Sequence, residues 1–186
     1  MNRAMANLHY DRPDAFTPSE CAAIVALGEA RVLAPATVWS GSGDHVDPSV
    51  RQAARCYPTR DEVGWVYDRL DTLFAEAAAR FELSVDSVFE DIQIVRYGVG
   101  DHFQVWHSDA GADRYWERLI SVSVELSAPG DHDGGVLEIA PALGMGRVPA
   151  QGGARLFLSR AIHRVTPVTR GVRWAVVAWT GQRPAS

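Results

Sequence analysis

The stretch Arg96–Gly111, RYGVGDHFQVWHSDAG, decides how this chain is read. It leaves the apolar run Ile92-Gln93-Ile94-Val95, crosses a glycine-bearing turn, and sets His107 and Asp109 two positions apart. In an extended segment residues i and i+2 project to the same face, so an imidazole nitrogen and a carboxylate oxygen can meet one ion. Taken alone the pattern is weak. His45-Val46-Asp47 has the same spacing, but it lies in the Gly/Ser/Pro-rich run WSGSGDHVDPSV, residues 39–50, which reads as a surface loop. The strand and turn before His107 set that copy apart from this control.

Working outward, the chain changes texture near residue 85. Before it, two helices are expected. Thr17-Pro18-Ser19-Glu20 carries a capping threonine, a proline suited to the first helical position and a glutamate that closes a capping box. The helix is expected to run to about Arg31, with Cys21, Ile24, Val25 and Leu27 on one side. A second helix is expected over residues 61–81, where Val63, Val66, Leu70, Leu73, Phe74 and Ala77 recur at three- and four-residue steps. After it come short runs rich in Val, Ile and aromatics: FEDIQIVRYGVG, RLISVSVELSAPG, GGVLEIA, GARLFLS and GVRWAVVAWTG. Each is bounded by Gly, Pro or Asp and reads as a strand. Helices followed by strands with no helices between them favour an antiparallel sandwich or barrel braced by N-terminal helices over a βαβ sheet.

Two strands carry polar groups in telling places. In LISVSVELS, Ile120, Val122, Val124 and Leu126 share one face, and Ser121, Ser123, Glu125 and Ser127 share the other. That second face is either a solvent-facing surface or the wall of a polar cavity. In GVRWAVVAW, Arg173 shares a face with Ala175, Val177 and Trp179, while Val172, Trp174, Val176 and Ala178 take the other. Both faces are mostly apolar, so Arg173 needs a partner; an unpaired buried charge is expensive.

The totals narrow the class. With 186 residues, 47% apolar and 22% charged, the chain suits one domain with a real core. A net charge of −5 without a run of Lys or Arg argues against a nucleic-acid partner. Cys21 and Cys56 do not make a disulfide framework and fit a reducing compartment. The N-terminus lacks the apolar core of a signal peptide, and no run approaches a membrane span. A cytoplasmic protein without a membrane partner is expected.

The third donor is expected at His163, 54 residues after Asp109 and 10 before Arg173. Two histidines and one carboxylate on a face of an octahedron leave open positions, the facial triad of non-haem Fe(II) oxygenases. The runs YGVGDHFQVWHSD, GGVLEI and IHRVTPVTRGVRWAVVAW resemble the 2-oxoglutarate/Fe(II) dioxygenase superfamily, and within it the prolyl 4-hydroxylase-like branch and bacterial proteins of PKHD type. The likeness is clear over residues 91–182 and looser toward the N-terminus. It implies a mainly β fold: a double-stranded β-helix, or cupin-like jelly roll, over about residues 86–182, with a helical lead-in over about 1–85 packed on it as one domain. It implies Fe(II) on His107, Asp109 and His163, with 2-oxoglutarate and O2 as cosubstrates and ascorbate as a reductant. Arg173 would pair with the C5 carboxylate of 2-oxoglutarate, Tyr97 would line the cosubstrate site, and Trp179 would be wall.

The activity so implied is hydroxylation of an unactivated C–H bond in an amino acid-like small molecule or a peptidyl residue of proline type, with succinate and CO2 as coproducts. Desaturation or cyclisation on the same iron would leave every motif unchanged. Asp109 disfavours halogenation, since radical halogenases of this fold carry a small residue there. A non-catalytic metal-binding jelly roll is disfavoured because Arg173 and Tyr97 accompany the triad. The family strand often has Tyr or Gln where Glu125 stands. A carboxylate there must pair with a cation such as Arg173 or Arg96, take a proton, or face a cationic part of the substrate. Trp106, Arg114 and Tyr115 beside the triad, and Arg51 and Arg55 before it, are the other candidate substrate contacts. His9, His102 and His132 read as surface or loop residues.

Overall fold

The computed structural model describes residues 9–111, 117–140 and 149–182. Arg114 and Tyr115 lie outside the described residues. Both expected helices form. Helix α1 (Pro18–Glu29) starts at the Thr17 capping box: the Glu20 carboxylate accepts from the Thr17 amide at 2.7 Å, and Thr17 Oγ1 accepts from the Glu20 amide at 3.3 Å. Helix α2 (Arg60–Phe81) buries the expected stripe of Val63, Val66, Leu70, Leu73, Phe74 and Ala77. Each fully buried Leu or Phe contributes roughly 1.5–3 kcal/mol.

Strands are numbered along the chain. The large antiparallel sheet runs in the order β1 (His9–Arg12), β12 (Ala154–Leu158), β9 (Arg118–Glu125), β15 (Arg173–Gly181), β7 (Gln93–Tyr97), β6 (Ala54–Cys56), β2 (Ala34–Pro35). A smaller sheet runs β11 (Leu137–Ile139), β13 (His163–Val165), β8 (His102–His107), β5 (Arg51–Gln52). Two ribbons complete the described strands: β3 (Val38–Ser40) with β4 (Gly43–His45), and β10 (His132–Gly134) with β14 (Val168–Gly171). The arrangement is the jelly roll that the sequence implies. One face of the large sheet packs against the helices, where Ile120, Val122, Val124, Leu156 and Val176 meet Ile24, Leu70 and Phe74. The other faces the small sheet, where Val95, Tyr97 and Phe157 meet Leu137, Ile139 and Val165.

Four features differ from the reading of the sequence. The lead-in is not purely helical, because β1 pairs with β12 at one edge of the large sheet while β6 and β2 extend the other. Residues 39–50 are not only loop: Val38–Ser40 and Gly43–His45 pair as a hairpin with a two-residue connection. The segment HFQVWH forms β8, hidden in the sequence by its polar residues. The polar face of β9 is not solvent-facing. Ser121, Glu125 and Ser127 are all buried, so the cavity-wall alternative holds.

Candidate active site

The triad is assembled by strand pairing. His107 ends β8, His163 begins β13, and the two are register partners across the small sheet. Asp109 follows two residues after His107, tied down by its own amide, which donates to the Ser159 carbonyl at 2.9 Å. The three donor atoms lie within 4.8 Å of one another. Asp109 Oδ1 is 3.9 Å from His107 Nε2, and Oδ2 is 3.5 Å from His163 Nε2. Ligands about 2.1 Å from one ion and at right angles stand about 3 Å apart, so small side-chain adjustments close the set on a metal. Among the described residues this is the one such group. Asp47 of the control pattern instead accepts from the amide and hydroxyl of Ser49.

Both imidazoles are oriented for ligation. Nδ1 of His107 lies 2.9 Å from the Val105 carbonyl, and Nδ1 of His163 lies 2.9 Å from the Ala161 carbonyl. A carbonyl only accepts, so each Nδ1 carries the hydrogen and each Nε2 offers its lone pair inward. Burial, with His163 alongside, pushes the His107 pKa down to about 4, so the ring is neutral at pH 7. Burial alone would raise the Asp109 pKa. The two histidines and the hydroxyl of Ser121 bring it below the ordinary carboxylate value. His107 and Asp109 are thus in their metal-binding protonation states beforehand. Ser121 Oγ donates to Asp109 Oδ2 at 2.7 Å and lies 2.9 Å from Ser159 Oγ, which fixes the carboxylate from behind.

The same face of β9 leads from the triad to Arg173. Arg173, on β15, is 3% exposed and donates through Nε to Glu125 Oε2 at 2.8 Å. Its Nη2 lies 3.5 Å from Ser123 Oγ, and its guanidinium carbon stands 5.5 Å from the centre of the Tyr97 ring. Burial would lower the Arg173 pKa, but the Glu125 carboxylate outweighs it and holds the guanidinium charged. Ser123 is two residues, about 7 Å, along the strand from Ser121, a gap that a five-carbon diacid bridges. The residues therefore fit a metal at one end and a carboxylate anchor at the other. Gly135, at φ +63°, keeps this corner open: a Cβ there would stand 2.9 Å from Arg173 Cδ.

Glu125 pairs with Arg173, the first of the alternatives read from the sequence, and is 2% exposed. Its role as a contact for a cationic substrate group loses its basis. A second partner went unread in the sequence: Nε2 of His132, in β10, lies 3.6 Å from Glu125 Oε1. His132 is not a surface residue, and neither is His102, which is 8% exposed. A glutamate on an inward face demands cations, and His132 follows it by only seven positions. That is the one signal that could have found it.

A cavity of about 710 Å³ opens beside the triad, lined by His107 and Asp109 together with Trp39, Arg51, Arg55 and Gln93. Arg51 and Arg55, two of the candidate substrate contacts, both line this cavity. Trp106 does not. It alternates with His107 on β8, is not among the cavity's lining residues, and lies under Arg164, whose guanidinium carbon is 4.6 Å from its ring centre. Trp179 lines the wall, and Arg118, paired with Glu90, lies over its ring at 3.9 Å.

A jelly roll that gathers two histidines and a carboxylate beside an open cavity offers the donor set of the facial triad found in non-haem Fe(II) oxygenases. Residues 92–181 match the model of the 2OG-Fe(II) oxygenase superfamily, so the resemblance carried by the sequence motifs holds; this superfamily uses Fe(II), 2-oxoglutarate and O2. A PKHD-type hydroxylase of Synechococcus sp. is 46% identical over 61 residues, 32% of this chain and 27% of that protein. One of Caulobacter sp. (strain K31) is 40% identical over 90 residues, 45% of this chain and 40% of that protein. The chain thus matches about a quarter to two-fifths of the length of these relatives. A Pseudomonas putida prolyl-4-hydroxylase superposes with TM-score 0.77 at 20% identity, covering 96% of this chain and 95% of that one. A Trichoplax adhaerens prolyl hydroxylase, in complex with a hypoxia inducible factor oxygen degradation domain peptide fragment, gives 0.75 at 18%, covering 95% and 84%. These two likenesses show a shared fold.

Proposed function

We propose that this protein is an Fe(II)- and 2-oxoglutarate-dependent hydroxylase. Its substrate is an amino acid-like small molecule or a peptidyl residue of the proline type, and succinate and CO2 are the coproducts. The observation that carries the reading is the meeting of His107, Asp109 and His163 with both Nε2 atoms free and a buried Arg173 further along the same strand face. Bound iron would supply the oxidising chemistry at a C–H bond. The protein's part is to hold three donors in place, to seat the far carboxylate of the keto-diacid on the η edge of Arg173 against Tyr97, and to keep that seat dry. Two buried free thiols, Cys21 and Cys56, support a reducing compartment, and no described helix is long and apolar enough to cross a membrane.

The test is anaerobic titration of Fe(II) and 2-oxoglutarate, followed in air by succinate release without added substrate. We expect 2-oxoglutarate to bind in the presence of metal and slow uncoupled turnover to follow. Both His107→Ala and Arg173→Ala should abolish it, the first through metal affinity and the second through 2-oxoglutarate affinity. A His107→Ala protein that still releases succinate would overturn the assignment.

A further inference from the structure

The cavity beside the triad contains a guanidinium, that of Arg51, with no carboxylate partner among the described residues. Arg51 extends from β5 over the Phe103 ring, its guanidinium carbon 5.0 Å from the ring centre, and Phe103 stacks on His107 with centroids 3.6 Å apart. Its polar contacts are long and go to neutral acceptors: Nη1 to the Thr37 carbonyl at 3.5 Å and Nη2 to Gln93 Oε1 at 3.4 Å. The Arg51 Nε is buried and has no hydrogen-bond partner. Among the described residues no carboxylate pairs with it, whereas Arg31, Arg60, Arg69, Arg118, Arg155, Arg164 and Arg173 each have one. Arg55 stands close by, its Nη1 on the same Gln93 Oε1 at 3.0 Å and its Nη2 on Thr37 Oγ1 at 2.7 Å. Two guanidinium groups sharing one amide oxygen repel each other, and a buried N–H without an acceptor is costly.

A carboxylate arriving in the cavity supplies that acceptor and satisfies the Arg51 fork, a geometry suited to bidentate carboxylate recognition. Among the described acids of the lining, none forms an ion pair with Arg51: Glu90 is held by Arg118, Asp109 belongs to the triad, and Asp91 is solvent-exposed. We infer that the substrate carries a carboxylate and that Arg51, with Arg55 beside it, anchors that group while the C–H bond to be oxidised faces His107 and Asp109. The inference rests on the oxygenase reading above and adds the substrate class. Only the Phe103 ring separates the guanidinium from His107, so the acid group and the target carbon belong to one compact unit. That unit is a free amino acid or the C-terminal residue of a peptide, not an internal residue of the proline type, which has no carboxylate of its own.

The experiment uses the full chain with Fe(II) and 2-oxoglutarate. Each proteinogenic amino acid and L-pipecolate are tested beside their carboxamides, together with proline peptides that have a free C-terminal proline, a C-terminal prolinamide or an internal proline. Succinate release is read in air, and the shift in melting temperature is read anaerobically. We expect stimulation and a thermal shift from at least one acid and from neither its amide nor an internal proline; the free amino acids and the C-terminal peptides separate the two sources. Arg51→Gln should weaken that acid at least tenfold in the anaerobic shift while 2-oxoglutarate still binds, and Arg51→Lys should restore part of the loss. Equal response to acid and amide, response to internal proline only, no response to any acid, or an Arg51→Gln protein that binds the acid as before would each overturn the inference. Failure of the wild type to bind 2-oxoglutarate would instead remove the oxygenase reading itself.

Discussion

Replacing Glu125 with Gln should have two opposite effects, and the pair of them tests how the cosubstrate end of the site is built. Glu125 and Arg173 are 2% and 3% exposed and meet at 2.8 Å. Breaking a buried pair by removing one charge costs about 3–5 kcal/mol. Gln keeps an oxygen that can accept from Arg173 Nε, so the loss should fall nearer 2–3 kcal/mol. For a chain of this size that lowers the melting temperature of the metal-free protein by about 5–10 °C. The same change removes a negative charge beside the guanidinium that the C5 carboxylate of 2-oxoglutarate would use. Two charges in a partly shielded site interact by up to a few kcal/mol. Because Glu125 is already neutralised in part by Arg173, about 1–2 kcal/mol of that should be released on binding. Cosubstrate affinity then rises roughly 5- to 30-fold.

The assay is thermal denaturation across a 2-oxoglutarate titration, with calorimetry for the dissociation constant. The variant should start lower and gain more. An acid titration adds a sign. Burial raises the Glu125 pKa, and Arg173 and His132 more than offset this, leaving it below the usual carboxylate value. A depressed carboxyl stabilises the fold above its unfolded value, about 4.3, and the stabilisation is lost as pH falls through the lower folded value. That part of the acid limb should be missing from Glu125→Gln. A variant with unchanged stability and unchanged or weaker 2-oxoglutarate binding would refute the idea that Glu125 holds Arg173 at the expense of cosubstrate.

Ser121→Ala removes the hydroxyl that donates to Asp109 Oδ2. It should weaken metal affinity 10- to 100-fold in a competition titration with a chelator, leaving the circular dichroism spectrum unchanged. Gly135→Ala sets a Cβ against Arg173 Cδ and Val168 at a left-handed φ, so 2-oxoglutarate affinity should fall more than metal affinity when the two are titrated separately. His163→Ala should remove the metal-induced rise in melting temperature, whereas His45→Ala, in the control pattern, should leave it intact.

The fold was legible where one face of an element meets the core and the other does not. The α2 stripe and the Thr17 capping box are local chemistry, and both appear as read. The short strands β1, β2, β5 and β6, at or next to the sheet edges, were not legible, because they are held by partners such as β12 and β7 that lie far away in the chain. HFQVWH escaped for a related reason. As the strand that ends in His107, it bears polar residues on both faces, so its alternation is blurred.

The site divides along the same line. The triad and Arg173 were legible because spacing and residue type together leave few other uses for them. The Glu125–His132 contact was not, since a histidine beside Gly-Asp reads as turn chemistry until β10 carries it under the barrel. The polar face of β9 lay between these cases. Alternation alone cannot say which face is inward, but the contacts settle it, because Ser121, Ser123 and Glu125 meet Asp109 and Arg173 in turn. One strand thus sets both ends of the site at a two-residue rhythm. The spacing between the triad and Arg173 is therefore a property of β9's register with β15, in which Ser121 opposes Trp179 and Glu125 opposes Ala175. A slip of one residue there would turn every polar contact of the site into the helix-packed core, where none of them has a partner.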